Sequence, residues 1–279
     1  MYTLIDGKAL AAEMRAEIKQ KVSAFGREIG LAVVLAGNDS ASQVYVRNKI
    51  KACEEVGVKS YAYYLPEAVT QAELEELLTE LAADNKIDGI LVQLPLPAHL
   101  DGEAALKLIP TEKDVDGFSA ENIGKLCLNE DCLVACTPNG VMKMLEKYGV
   151  QTKGKRAVVV GRSNIVGRPM ALLLLNADAT VTVCHSKTVN LKEECLKADI
   201  LVAAIGKPKF ITADMVKDGA VVIDVGMDRD ENGKLCGDVD FEGVKDKCSY
   251  ITPVPGGVGP MTITMLMYNT YIAASRRRS

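Results

Sequence analysis

The stretch Val158-Val159-Val160-Gly161-Arg162-Ser163-Asn164-Ile165-Val166-Gly167-Arg168-Pro169 constrains the fold more than any other part of this chain. An apolar run ends at a glycine, and a second glycine follows six residues later, where a helix is expected to begin. A strand that turns on glycine into a helix aims backbone N–H groups and the positive end of the helix dipole at an anion. That layout belongs to a parallel sheet covered by helices, so the second half of the chain is expected to form a Rossmann-type domain. The turn alone is weakly specific, because its third position is Ser163, where the common dinucleotide pattern has glycine. A tight turn with no ligand is the plain alternative, and the surrounding strand–helix–strand context favours the ligand.

Roughly twenty residues on, an NAD site would place an acid at the end of the next strand. This chain has His185-Ser186-Lys187 there. A carboxylate would bind a ribose 2′-hydroxyl and repel a 2′-phosphate. A hydroxyl and a lysine, with Arg162 in the turn, suit the phosphate, so NADP is the expected cofactor.

At 279 residues, 48% hydrophobic and 25% charged, the chain can bury two modest cores. Its net charge of −4 implies no general affinity for nucleic acid, and Arg276-Arg277-Arg278 reads as a solvated tail. The start lacks a basic segment followed by an apolar one, and no later run is apolar enough to span a membrane. A soluble, cytoplasmic protein is expected. The eight cysteines include no Cys-x-x-Cys pair and there are two histidines, so buried reduced thiols are expected and no metal site.

The first half alternates helix and strand signals. Helical periodicity over Gly7–Phe25 precedes an apolar strand, Leu31–Leu35; a helix over Ser42–Val56 stops at Gly57. Lys59–Leu65 reads as a strand, Thr70-Gln71-Ala72-Glu73 as a capping box opening a helix through Ala83, and Gly89–Leu94 as a buried strand. The second unit starts near Thr137-Pro138-Asn139, with proline at the first helical position. Its strands are expected at Arg156–Val160, Thr180–Cys184, Ile200–Ala204 and Ala220–Val225, with helices over Val166–Asn176 and Leu191–Lys197. A last helix, about Met261–Ser275, should return to the first domain. The expected architecture is α/β: residues 1–138 with 260–279 form an N-terminal catalytic domain, residues 139–259 a Rossmann-type NADP domain, and a cleft separates them.

Three constellations lie in the first half. Tyr45 and Lys49, spaced i, i+4, share one helix face. A tyrosine on a lysine stem at a solvated edge is the plain reading; an aromatic platform beside a proton carrier is the functional one. An amine that works as a base near neutral pH must fall from its ordinary value of about 10.4, at a cost of roughly 4 kcal/mol, so such a lysine has to sit in a cleft. Gln93 ends an apolar strand, where its amide needs hydrogen bonds or a cleft at the strand's carboxyl end. Lys113-Asp114-Val115-Asp116-Gly117-Phe118 carries two acids in an extended segment, without the spacing of a calcium loop. A carboxylate there could accept two parallel N–H bonds from an amidine-like ring edge such as that of a pterin.

Together these segments resemble the bifunctional methylenetetrahydrofolate dehydrogenase/methenyltetrahydrofolate cyclohydrolase family. The likeness covers nearly the whole chain: Tyr45 to Gly57, Gly89 to Pro97, Lys113 to Phe118, Cys136-Thr137-Pro138, Gly161 to Gly167, His185 to Thr188, and Pro253 to Thr262. The resemblance implies that Lys49 is the catalytic lysine, Gln93 its tuning partner, Tyr45 the residue stacking on the folate, and Asp116 the pterin anchor. Ser42, Pro255 and Gly256 would lie on the folate side; Gly161, Arg162, Ser163, Gly167, Ser186 and Met227 on the NADP side. It also implies a homodimer formed through the cofactor domain. Two positions depart from the family pattern: Ala135 replaces the usual proline before Cys-Thr-Pro, and Met227 replaces the usual isoleucine. Both are apolar and are expected to alter packing more than chemistry. Two alternatives stay open: an NADP-dependent dehydrogenase of a small hydroxy or amino acid, similar to shikimate dehydrogenases, and a nucleotide-sensing module without activity.

Overall fold

The computed structural model describes residues 1–277. In chain order its elements are β1 (Thr3–Leu4), α1 (Gly7–Ser23), β2 (Gly30–Ala36), α2 (Ser40–Val56), β3 (Lys59–Leu65), α3 (Gln71–Ala83), β4 (Gly89–Val92), α4 (Gly102–Lys107), α5 (Ala120–Cys127) and α6 (Cys136–Lys147). They continue with β5 (Arg156–Val160), α7 (Gly167–Asn176), β6 (Thr180–Cys184), α8 (Leu191–Leu196), β7 (Ile200–Ala203) and β8 (Val221–Asp224). Last come β9 (Asp228–Arg229), β10 (Leu235–Cys236), α9 (Phe241–Val244), β11 (Tyr250–Ile251) and α10 (Val258–Arg276).

The chain divides into two compact units. The first holds Glu13–Cys136 and the chain from Ile263 onward; the second holds Met1–Ala12 and Thr137–Thr262. The N-terminus therefore corrects the expected division. Residues 1–12 group with the nucleotide half because β1 extends its sheet: Thr3 N donates to Ser249 O and Ile5 N to Ile251 O, both at 2.8 Å.

The first unit is built on a parallel sheet in the order β3-β2-β4. Its central strand, Gly-Leu-Ala-Val-Val-Leu-Ala, is buried along its whole length, as a parallel strand covered on both faces must be. Leu74, Leu78 and Leu81 of α3 pack on Ala32, Val34, Ile90 and Val92. The helix opens with the expected capping box, Thr70 Oγ1 accepting from Glu73 N and Glu73 returning to Thr70 N. Because β3 and β4 lie on opposite sides of β2, the chain reverses direction across the sheet between β2 and β4. Open α/β sheets place their sites outside the carboxyl ends of the strands at such a point.

The second unit carries six parallel strands in the order β1-β11-β8-β7-β5-β6. Here the reversal falls between β5 and β7, immediately before Gly161. Val158, Val160, Leu201, Ala203 and Val222 form the core under the helices. Two expectations change. Helix α6 begins at Cys136, which puts Pro138 at its third position rather than its first. The arginine tail is not simply solvated: Arg276 pairs with Asp131 at 2.6 Å and Arg277 with the fully buried Asp88 at 3.0 Å. The expectation for Arg278 lies outside the described residues. Six of the eight cysteines are buried and all eight are free thiols. Among the described residues no helix is long and apolar enough to cross a membrane, and no group of three His, Cys, Asp or Glu side chains is arranged to hold a metal.

Candidate active site

Helix α2 leaves the carboxyl end of β2 and is capped by Asp39, whose carboxylate accepts from Ser42 N at 2.7 Å. Ser42, Tyr45, Val46 and Lys49 then fall on one face. Ser42 and Val46 are buried, while Tyr45 and Lys49 are half-buried. Burial raises the Tyr45 phenol above its usual value, so it is a neutral ring. On the facing side of the switch point, β4 ends at Val92 and Gln93 follows, its N–H donating to Val34 O at 2.8 Å. Lys49 Nζ donates to Gln93 Oε1 at 2.9 Å. Gln93 is 9% exposed, and its Nε2 donates to Leu94 O at 2.6 Å, which fixes which end of the amide meets the lysine. The strand-end amide and the helix-face lysine, read separately from the sequence, meet in space.

The 113–119 segment separates its two acids by role. It is a turn, not the extended stretch expected: Gly117 adopts φ +73° and its N–H returns to Asp114 O at 3.0 Å. Asp114 is buried and spent on structure, its carboxylate accepting from Gly117 N, Phe118 N, Ser119 N and Asn122 Nδ2 at 2.7–3.2 Å. Lys113 is buried too, its ammonium donating to Leu81 O, Ala82 O and Asp84 O at the end of α3. Burial holds that lysine below its ordinary value. Asp114 also bridges Ile90, which lays the turn along the open edge of β4. Asp116 is left half-buried, beside Lys49. Burial pushes its carboxyl up to about 6, against the pull of the Lys49 charge and with a smaller push from Asp114. Lys49, Gln93, Tyr45 and Asp116 thus lie in one unit at one sheet end. A residue that the sequence reading placed in a resemblance segment but gave no role joins them. Cys136 is buried beside Asp116 and Lys49, and burial drives its thiol well above the usual range.

In the second unit Gly161 has φ +128°, and a Cβ there would lie 2.1 Å from Ala204 O. Gly167 is equally constrained, its absent Cβ 2.2 Å from Gly161 O. Only glycine permits this fold-back, which leaves bare backbone at the switch point. The expectation that the amides of α7 itself face the phosphate is modified. Gly167 N donates to Ser163 Oγ at 3.4 Å and Arg168 N to Ser163 O at 3.0 Å, while Pro169 has no N–H. Ser163 therefore closes the start of α7, and Arg162 and Ser163 stand exposed ahead of it. At the end of β6, Thr188 N donates to His185 O at 2.8 Å, His185 N to Thr188 Oγ1 at 2.8 Å, and Lys187 N to His185 Nδ1 at 3.1 Å. This closed turn leaves Ser186 and Lys187 exposed.

Two further groups shape this unit and were not read from the sequence. Asp224, ending β8, accepts from Gly226 N, Asp238 N and Val239 N, and burial still pushes it up to about 7. Asp238 accepts from Ile205 N and Lys207 N, both at 2.7 Å, tying the loop after β7 to the same knot. An acid ending an apolar strand, Val-Val-Ile-Asp, was the available signal. Met227 follows, its Cε 2.8 Å from where a Cβ on Gly259 would lie, so the departure from isoleucine is a packing contact. Pro255 is exposed and Gly256 half-buried in the loop before α10, whose Gly256 O accepts from Lys8 N at 2.9 Å; both belong to the second unit, not to the lysine cluster's unit.

A glycine turn at the switch point of the second unit's six-stranded parallel sheet, and an amine held by an amide in the first α/β unit, define a nucleotide-dependent enzyme class. Residues 5–116 match the family described as tetrahydrofolate dehydrogenase/cyclohydrolase, catalytic domain, and residues 135–278 that family's NAD(P)-binding domain. The chain belongs to the tetrahydrofolate dehydrogenase/cyclohydrolase family. It is 59% identical over 276 residues to the bifunctional protein FolD of Moorella thermoacetica, covering 98% of this chain and 99% of that one. The crystal structure of the bifunctional FolD enzyme of Campylobacter jejuni superposes with TM-score 0.97 at 52% identity, covering 99% of this chain and 100% of that one. The Trypanosoma brucei dehydrogenase-cyclohydrolase, complexed with NADP cofactor and inhibitor, superposes with TM-score 0.94 at 40% identity, covering 100% and 99%. This membership displaces the hydroxy-acid dehydrogenase and sensing-module alternatives.

Proposed function

We propose that the chain oxidises 5,10-methylenetetrahydrofolate with NADP⁺ and hydrolyses the 5,10-methenyl product to 10-formyltetrahydrofolate. The observation that carries this reading is the 2.9 Å bond from Lys49 Nζ to Gln93 Oε1 with the Asp116 carboxyl beside it. Asp116 accepts two N–H bonds from the 2-amino-4-oxopyrimidine edge, which fixes the ring's direction as well as its place. The neutral Tyr45 ring is the surface on which the folate stacks, with Ser42 on the same helix face. Arg162 and Ser186 hold the 2′-phosphate; the bare turn of Gly161, Ser163 and Gly167 lets backbone approach the pyrophosphate; Met227 packs beside the cofactor. When bound, NADP⁺ accepts the hydride from the one-carbon bridge, and the protein's part in that step is alignment.

Hydrolysis asks more of the side chains. Water adding to the methenyl carbon must lose a proton, and the ring nitrogen released when the adduct opens must gain one. Lys49 as the free amine takes the first proton and, as the ammonium so formed, delivers the second, while Gln93 Oε1 accepts one of its N–H bonds and so fixes its direction toward substrate. The free thiols suit a reducing compartment, which supports a cytoplasmic setting. A homodimer forms through the open β6 edge of the second unit. The decisive experiment is Lys49→Met, assayed for methenyltetrahydrofolate hydrolysis and for NADP⁺ binding. Hydrolysis is expected to fall by about 10²–10⁴ with the NADP⁺ Kd retained; hydrolysis near the parent rate refutes the role.

A further inference from the structure

The C-terminal helix carries one polar side chain whose donors end on the backbone of the lysine site. Asn269 of α10 is 2% exposed. Its Nδ2 donates to Val115 O and to Val134 O, each at 2.8 Å, and lies 3.6 Å from Cys136 Sγ. Cys136 Sγ donates to the same Val115 O at 3.3 Å. Val115 immediately precedes Asp116, and Val134 precedes Ala135-Cys136. Between these segments the chains touch closely: a Cβ on Gly117 would lie 2.5 Å from Ala135 N. A primary amide has two hydrogens at a fixed angle, so one that satisfies two carbonyls also sets the spacing between them.

We propose that Asn269 is a positioning residue: its carboxamide pins the Val115–Gly117 backbone to the Val134–Cys136 backbone and so sets where the Asp116 carboxylate stands beside Lys49. The inference rests on Asp116 being the ring-edge acceptor proposed above. A carboxylate that must meet two N–H groups in parallel needs its tilt fixed, and small misplacement of such a group is costly to function.

The test is Asn269→Leu in the full-length enzyme, which keeps the volume and removes both donors. The KM for 5,10-methylenetetrahydrofolate is expected to rise about tenfold while that for NADP⁺ stays within about twofold. The acid limb of folate binding, set near 6 by Asp116, is expected to move down toward the ordinary carboxylate range as the freed carboxyl gains water. Of the titratable groups facing Asp116, Lys49 and Asp114 keep their partners in this variant, and Cys136 loses only its contact with the Asn269 amide while keeping its bond to Val115 O. Where Asn269→Leu does not fold, Cys136→Ala removes the other donor to Val115 O and should give a smaller rise of about threefold, with the same downward shift. A folded variant with the parent's folate KM, with equal rises in both KM values, or with an unmoved acid limb overturns the proposal. Asp116→Asn run alongside separates the two readings: if it leaves folate KM unchanged, the ring-edge role falls and this inference with it. If it raises folate KM while Asn269→Leu does not, only the inference falls.

Discussion

At the scale of single residues, the site depends on which of two neighbouring acids remains available for ligand. Asp114 is consumed by three backbone donors of its own turn and the Asn122 amide of α5, and Asp116 is left with a carboxyl raised to about 6 by burial. On the proposed reading the ring edge needs the carboxylate, which predominates above that value. Folate affinity is therefore expected to hold above about pH 6 and to fall by up to about tenfold per unit below it. Titration calorimetry across pH 5–8 checks this, and an affinity flat through pH 5 contradicts it. On the cofactor side, Arg162 stands exposed at the glycine turn, and the proposed reading pairs it with the 2′-phosphate, which NADP carries and NAD lacks. Arg162→Ala should raise the NADP⁺ KM about tenfold and leave that for NAD⁺ within about twofold, since a charge-assisted bond is lost from one ligand alone. Equal losses for both cofactors would remove Arg162 from the phosphate site.

At the scale of elements, what the sequence showed and what it hid differ by range. The parallel strands β2, β5 and β6 and the helix caps were legible, because continuous apolar runs in β2 and β5, the Thr-Val alternation of β6, Gly57 and the Thr70–Glu73 box act within a turn or two of their own position. Lys49 and Gln93 could be singled out by type and position, yet only the family resemblance paired them, because their contact depends on β2 and β4 being neighbours. Two-residue strands such as β1 and β11 carry no periodicity; only their pairing, across most of the chain, makes them strands. The C-terminal arginines failed as a tail for a similar reason. Asp88, fully buried at the start of β4, accepts two bonds from Arg27 at 2.8 Å, one from Arg277 at 3.0 Å and one from Gly30 N at 3.1 Å. It joins the approach to β2, the approach to β4 and the end of α10. Asp88→Ala leaves two guanidiniums without their shared partner. It should destabilise the protein by about 3 kcal/mol, at the low end for a broken buried pair because both arginines retain some access to water. Chemical denaturation measures this, and a loss below about 1 kcal/mol would show the cluster to be dispensable.

At the scale of the whole molecule, the six-stranded sheet ends on one side at β6, whose outer edge has no strand beside it among the described residues. Short, charged edge strands are the usual protection against edge-to-edge pairing. β6 is five residues long and uncharged, Thr-Val-Thr-Val-Cys, with Val183 39% exposed. Behind it Leu175 of α7 is 56% exposed. A β-branched edge flanked by an exposed leucine suits a second copy of the same chain, because a two-fold axis beside β6 brings like strands together and covers both apolar patches at once. Light scattering on the purified protein at micromolar concentration is expected to give twice the 30.0 kDa chain mass. Val183→Asp combined with Leu175→Asp places charges where two copies would meet, and the mass should fall to that of one chain. The Lys49 site lies in the other unit, so cyclohydrolase turnover in the monomeric variant should stay within about threefold of the parent. A parent protein that is monomeric at these concentrations rules out the β6 interface. A charged variant that remains dimeric moves the interface to another face.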